Sequence, residues 1–382
     1  MTRLLDLTRL VSRVGRGPLT GVDRVESAYL DRLLAAPQPV FGLMRSKLGY
    51  LLLDRAGMVG VQRLVAGAVL GPADVISRLS YRHDPLRAQA EAVVRRLAVE
   101  RSPSLRWLLR RVPSGSYLNV GHAHLTSLGA IRSAGWQIAI LVHDTIPLDY
   151  PQFARAGTAA VFVRKLAAVS AHADLVIHTT QDARLQTEAH FAAMGRVPAG
   201  LVAGLGVPKP LPDSKALPPG LDLTRPYFVA LGTVEPRKNH TLLLDIWDRK
   251  PAARLLIIGG RGWADAALFD RIAATDRVEW HQGLADGVVA TALQGARALL
   301  APSLAEGFGL PVIEAAALGV PVIANDLPVT RELLGDYAVY LDSTEVYPWM
   351  ETMRVRGTGA DRQRRIDPPT WEAHFNAVLS LV

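Results

Sequence analysis

Glu306-Gly307-Phe308-Gly309-Leu310-Pro311-Val312-Ile313-Glu314 lies between two apolar runs, Ala298-Leu299-Leu300-Ala301-Pro302-Ser303 and Val320-Pro321-Val322-Ile323. Each run reads as a buried strand, and Pro311 suits the first turn of a helix between them, where a missing N–H costs no intrahelical bond. The spacing therefore predicts a strand-to-helix turn carrying two carboxylates, Glu306 in the loop and Glu314 about one turn into the helix. Gly307 and Gly309 leave the backbone amides uncovered at the helix N-terminus, where an anion or a hydroxyl can meet them. Such a turn suits a ligand that combines phosphate with a polyol.

Outward from this stretch, the chain alternates strands and helices. Tyr227–Leu231, Leu255–Gly260, Val278–Gly283 and Val320–Ala324 read as strands, with a helix near Asp286–Gly295 and another capped by Asn325 or Asp326 after the last strand. In the first half, Arg3–Leu10 begins a strand, and a glycine-rich turn around Gly15, Gly17 and Gly21 precedes a helix opening at Val22. Two short strands and then mostly helices fill 41–111. Tyr117–Val120 and Gln137–Val142 read as parallel strands around a helix near Leu125–Ser133. Ala173–Thr180 runs into a helix capped by Thr179 or Thr180, and Gly204–Val207 closes the sheet. This alternation argues a doubly wound parallel sheet in each half. Six prolines, Pro208, Pro210, Pro212, Pro218, Pro219 and Pro226, mark a linker between the halves. The expected organisation is a first domain over 1–207, a linker over 208–226, a second domain over 227–365 and a returning helix over 366–382.

A chain of 382 residues, 49% hydrophobic and 20% charged, has room for two cores and is no disordered chain. Without cysteine it has neither disulfides nor thiolate metal sites. Its first residues lack a secretory signal's apolar segment, and Leu51–Leu70 is interrupted by Asp54, Arg55 and Arg63, so a cytoplasmic location is expected. Residues 1–115 hold 19 Lys and Arg against 9 Asp and Glu, whereas the remainder holds 24 against 26. In that basic third, Arg87, Arg95, Arg96, Arg101, Arg106, Arg110 and Arg111 alternate with Val93, Val94, Leu97 and Trp107. The pattern fits attachment to an anionic membrane surface, at the inner face of the cytoplasmic membrane, as well as it fits the solvated face of core helices. No nucleic-acid module accompanies the charge, which argues against a nucleic-acid partner.

Further chemistry-bearing residues stand at the carboxyl ends of expected strands, where an open α/β sheet presents its ligands. His122 and His124 follow one strand, and His143 and Asp144 the next. The His-x-His spacing lacks a third metal ligand in register. Gly232-Thr233-Val234-Glu235-Pro236-Arg237-Lys238 puts adjacent cations beside a glycine turn, where they can neutralise a diphosphate leaving group.

Taken together, Ser303 with Glu306–Glu314, the His143-Asp144 segment, the loop Thr20-Gly21-Val22-Asp23-Arg24-Val25-Glu26 and Lys238 resemble the retaining GT-B glycosyltransferases of the family 4 type, also called glycosyl transferases group 1. The resemblance is strongest over 227–341. It implies two Rossmann-like domains facing across a cleft, the second binding a nucleotide-diphosphate sugar and the first a glycan or lipid-linked acceptor. In that frame His143 hydrogen-bonds the donor sugar beside its anomeric carbon, with Asp144 and His122 on the acceptor side. Gly21 faces the cleft. Gly232, Arg237 and Lys238 hold the diphosphate, with Thr233 at a place where the family often has Arg. Glu306 and the Gly307, Phe308, Gly309 and Leu310 stretch hold the sugar, Glu314 the ribose, and His281 ends a strand beside the nucleobase. The implied reaction is retaining hexosyl transfer in surface polysaccharide or lipid-linked oligosaccharide synthesis, with no cofactor and no metal. Two other functions share such a fold: a sugar-nucleotide epimerase and a catalytically silent binding subunit.

Overall fold

The computed structural model of the chain describes residues 1–17, 19, 21–209, 211–356 and 364–382. Pro18 and Thr20 of the glycine-rich loop, Pro210 of the proline-rich stretch and residues 357–363 of the second expected domain lie outside the described residues. The first sheet comprises β1 (Thr2–Asp6), β2 (Val40–Ser46), β3 (Gly49–Leu53), β4 (Glu100–Ser102), β5 (Gly115–Asn119), β6 (Gln137–Val142), β7 (Leu175–His178) and β8 (Ala199–Val202). They stand in the order β4-β3-β2-β1-β5-β6-β7-β8 and pair in parallel, except that β3 runs against both of its neighbours. The second sheet is wholly parallel: β9 (Tyr227–Leu231), β10 (Arg254–Ile258), β11 (Val278–His281), β12 (Leu299–Ala301), β13 (Val322–Asn325) and β14 (Val339–Leu341), in the order β11-β10-β9-β12-β13-β14. Central strands such as Leu255–Ile258 and Leu299–Leu300 are buried on both faces. That is why they read as unbroken apolar runs rather than alternating ones.

Each sheet reverses its strand order once, between β1 and β5 in the first and between β9 and β12 in the second. The loops that diverge there open a crevice beyond the carboxyl ends of the strands. Among the described residues of 208–226, a turn at Ser214–Ala216 is the one regular element. Among the described residues, no helix is long and apolar enough to cross a membrane.

Several expectations need correction. The first strand stops at Asp6, whose carboxylate accepts from the Thr8 amide at 2.9 Å and starts the helix Thr8–Arg13. Gly204–Val207 is no strand; β8 closes the sheet. The apolar character of 204–207 serves instead the terminal helix Trp371–Leu379: Val207 N donates to Pro369 O at 2.9 Å, and a Cβ on Gly206 would run into the Trp371 ring. The helix after β13 begins only at Pro328, without a side-chain cap. Asn325 is committed elsewhere, its amide to Ser303 O and its carbonyl to Ser343 N, while Asp326 pairs with Arg331. Thr180, rather than Thr179, caps its helix by accepting from Ala183 N at 3.0 Å.

The terminal helix lies on the first sheet's unit. Tyr29 and His374 share a buried hydrogen bond of 2.8 Å, and the Arg3 guanidinium donates to Leu379 O and Val382 O at 3.1 and 3.0 Å. This docking predicts the behaviour of Gly206→Ala. The added methyl must displace Trp371, which is expected to lower the unfolding free energy by about 1–3 kcal/mol in a urea titration. Unchanged stability would mean that the helix is not seated there.

Candidate functional site

The second half's site grows from the loops that follow β9 and β12. Leu304 N donates to Arg237 O at 2.7 Å and Arg237 Nη1 to Ala305 O at 3.0 Å, which sews the two loops together. Within that seam Glu306 accepts from both cations, from Arg237 Nη1 at 2.8 Å and from Lys238 Nζ, and Arg237 Nε reaches Glu235 at 2.6 Å. Burial alone would raise the Glu306 carboxyl; Lys238 and Arg237 outweigh it and hold it down to about 2. Burial lowers the Lys238 ammonium, with Glu306 opposing, and raises the Glu235 carboxyl. Gly232 adopts φ 138°, and a Cβ there would stand 3.2 Å from Lys238 Cε, so the lysine stem lies over the glycine turn. Phe308 is buried, and Gly309, at φ 85°, opens the helix Leu310–Ala317 that carries Glu314.

Glu314 faces the first half. Arg24 crosses to it at 3.2 Å and also meets Asp286 at 2.8 Å. Burial raises the Glu314 carboxyl, and Arg24 opposes it. Gly21 and Arg24 on one side, Asp286, Leu310 and Glu314 on the other, together with Trp371, line a crevice of ≈ 1020 Å³.

At the carboxyl end of β6, His143 and Asp144 come against the Glu306 loop. A Cβ on Gly307 would lie 2.8 Å from Asp144 Oδ2 and 3.0 Å from His143 O, and the Thr179 hydroxyl donates to Gly307 O at 3.3 Å. His143 Nε2 lies 2.7 Å from Val120 O, which puts its proton on Nε2 and leaves Nδ1 as an acceptor suited to a hydroxyl. Burial pushes this imidazole down to about 4. Asp144 is raised by burial, with Arg237 opposing.

Thus His143, Asp144, Arg237, Lys238 and Glu306–Gly309 form one group, with Gly232 beneath the lysine. Gly21, Leu310 and Glu314 line the adjoining crevice. His122 stands behind His143, with ring centroids 5.1 Å apart and Nε2 donating to Leu141 O at 2.8 Å. His281 is not gathered in: it ends the edge strand β11, beyond β10, with Glu279 as its partner at 3.3 Å. Sequence reasoning gave no place in the site to Arg24, Glu235 or Thr179, the last being considered only as a helix cap. Arg24 carried a signal through its place after Gly21, and Glu235 through its position two residues before Arg237. Among the described residues, no group of three His, Asp or Glu is arranged to hold a metal ion.

The family model described as glycosyl transferases group 1 matches residues 216–345. The serotype-specific mannosyltransferase WbdA of Escherichia coli is 30% identical over 242 residues, 56% of this chain and 29% of that protein. The O-antigen chain mannosyltransferase B of Escherichia coli is 34% identical over 128 residues, 31% of this chain and 34% of that protein. The chain thus spans about a third or less of the length of these curated relatives. In fold, the chain is similar to HepE of Anabaena in its complex with UDP and glucose, at 17% identity, a TM-score of 0.60 and coverage of 100% and 99%. Sucrose-phosphate synthase from Thermosynechococcus elongatus follows at 16% identity, a TM-score of 0.60 and coverage of 100% and 94%. With both the chain shares the architecture of two parallel-sheet α/β domains.

The buried state of His143 can be tested by NMR. Its pKa is depressed from 6.5 in the unfolded chain, so its contribution to stability is complete above pH 6.5 and falls as pH drops toward 4. The ring resonances are expected to titrate near pH 4; a midpoint near 6.5 would contradict the burial and the Val120 bond.

Proposed function

We propose that this chain, whose residues 216–345 are a glycosyl transferases group 1 domain on a GT-B scaffold, transfers a hexosyl unit from a nucleotide-diphosphate sugar to an acceptor hydroxyl and keeps the anomeric configuration. The observation that carries the reading is the meeting of two groups from opposite halves: the Arg237, Lys238 and Glu306 cluster, and His143 with Asp144. The diphosphate binds Arg237 and Lys238, which otherwise pair with Glu306. Its arrival frees Glu306 to accept hydrogen bonds from the sugar hydroxyls. Glu314 takes the ribose hydroxyls once Arg24 has turned aside, since a carboxylate can accept two such bonds.

In the chemical step the acceptor oxygen bonds to the anomeric carbon on the face from which the diphosphate oxygen departs. The acceptor proton passes to that departing oxygen. Charge builds on the leaving group as the bond breaks, and the two fixed cations stabilise it there, the work a divalent metal does in other sites. A mannose-type hexose is favoured because WbdA and the O-antigen chain mannosyltransferase B are mannosyltransferases. The acceptor is a surface glycan or its lipid-linked precursor, met at the inner face of the cytoplasmic membrane, a placement that the basic first third supports.

Incubating the full chain with sugar nucleotides tests this directly. Release of nucleoside diphosphate only with acceptor present is expected; a chemically altered donor would indicate an epimerase, and binding without turnover a silent subunit. Lys238→Ala is expected to lower kcat about 100-fold, and Glu314→Ala to raise the donor KM about tenfold. Wild-type constants in both would discredit the site. Chelation with EDTA is expected to leave the rate unchanged, and its loss would show that a metal shares the work.

A further inference from the structure

A second cavity, of ≈ 630 Å³, lies over the carboxyl ends of β1, β2 and β5, apart from the donor crevice. Four cationic side chains line it: Arg16, Arg45, Lys47 and Arg87. Among the described residues a single lining carboxylate, Asp84, opposes them, and it is already taken by Arg16 and by the Arg87 amide, whose helix it caps at 3.1 Å. His124 adds no charge, because its Nδ1 accepts from Arg45 at 2.8 Å and burial with Arg45 pushes the ring down to about 4.

Arg87 marks the pocket as built for a ligand. The residue is only 9% exposed, yet its buried Nη1 has no hydrogen-bond partner among the described residues. A buried guanidinium N–H left unpaired is costly unless something comes to meet it. Tyr81 holds the cations in place, with Lys47 Nζ 4.7 Å and the Arg87 guanidinium 5.7 Å from the ring centroid. Discounting the cation that Asp84 neutralises, three positive charges face one cavity. A lone carboxylate would answer one of them; a phosphoryl group, with close to two negative charges and three acceptor oxygens, answers the set.

The pocket also lies within reach of the reaction. His124 is two residues from His122, whose ring packs on His143. Two strand spacings, about 10 Å, separate β1 from β6.

We infer that the Arg45, Lys47 and Arg87 pocket is an acceptor subsite that binds a phosphoryl group, so that the preferred acceptor is a phosphorylated glycan whose hydroxyl extends to the donor crevice. This rests on the transfer reading for its purpose, but the pocket's occupancy is measured independently of it.

The experiment titrates the full chain by calorimetry with a hexose 1-phosphate, the donor crevice being held by saturating nucleoside diphosphate. One-to-one binding is expected, weakening as salt is raised. In the Arg45→Gln/Lys47→Gln double variant, whose changes fall on exposed side chains, the affinity is expected to fall at least tenfold, while the thermal shift given by the nucleoside diphosphate stays at its wild-type value. A neutral methyl hexoside is expected not to bind in the pocket. A hexose linked to a prenyl chain through a diphosphate, which keeps two negative charges, distinguishes the sources when offered in detergent: tighter binding than the soluble ester assigns a lipid-borne phosphate, equal binding a soluble one. No binding of the hexose phosphate by the wild type, equal binding of the methyl hexoside, or unaltered affinity in the double variant would overturn the inference. Loss of the nucleoside diphosphate response in the wild type would instead count against the transfer reading.

Discussion

Two carboxylates and two cations share one nearly dry space where the loops after β9 and β12 meet. The side chains of Glu235, Lys238 and Glu306 are 5, 11 and 13% exposed, and that of Arg237 is 23% exposed. Charges so far from water are tolerated only as a balanced, hydrogen-bonded set, because a single unpaired member costs several kcal/mol. That requirement fixes the Glu306 loop against the Arg237 turn. The fixed loop in turn carries Gly307 to His143 and Asp144, where there is no room for a side chain. Both the crevice and the contact between the two halves follow from this placement. Within the set Glu306 takes both cations at once, one through each carboxylate oxygen.

A parallel salt link spans the crevice. Arg24 holds Glu314 and Asp286 across the gap between the two sheets' units. Further bonds between the halves, from the Gln181 and Asp182 amides to Glu332 and from Trp263 to Phe153 O, lie on other segments. These polar contacts cross between the halves beside a buried apolar cluster that both share through Leu205, Val207, Leu221 and Phe308.

The elements most legible in the sequence were those whose neighbours are all apolar. Strands β9, β10 and β12 are buried on both faces, so composition alone marks them, and Asp286–Gly295 forms the helix its residues suggest. The turn from Glu306 to Glu314 was legible because glycine and proline leave few backbone options there. Gly204–Val207 misled because an apolar, glycine-rich run can pack on a helix as well as pair with a strand; Trp371 decided between them from a distant part of the chain. Asn325 looked like a helix cap but bridges Ser303 and Ser343. The edge position of β11, which carries His281, was not legible, because strand order cannot be counted from sequence. Arg24 and Arg87 owe their importance to contacts with residues far away in sequence or to the absence of one. The basic first third likewise divides on folding: Arg95 turns inward to Glu91 and Asp74, Arg3 secures the terminal helix, and Arg111 stacks 4.2 Å above the half-exposed Trp107.

The central claim concerns where an activated sugar sits, and a crystal structure of the chain with a bound nucleotide-diphosphate sugar tests it most directly. The account predicts the diphosphate on Arg237 and Lys238 with Glu306 turned to the sugar, and the ribose hydroxyls on Glu314 in place of Arg24. A ligand bound outside this crevice, or one that leaves the Glu306 ion pairs intact, would contradict it.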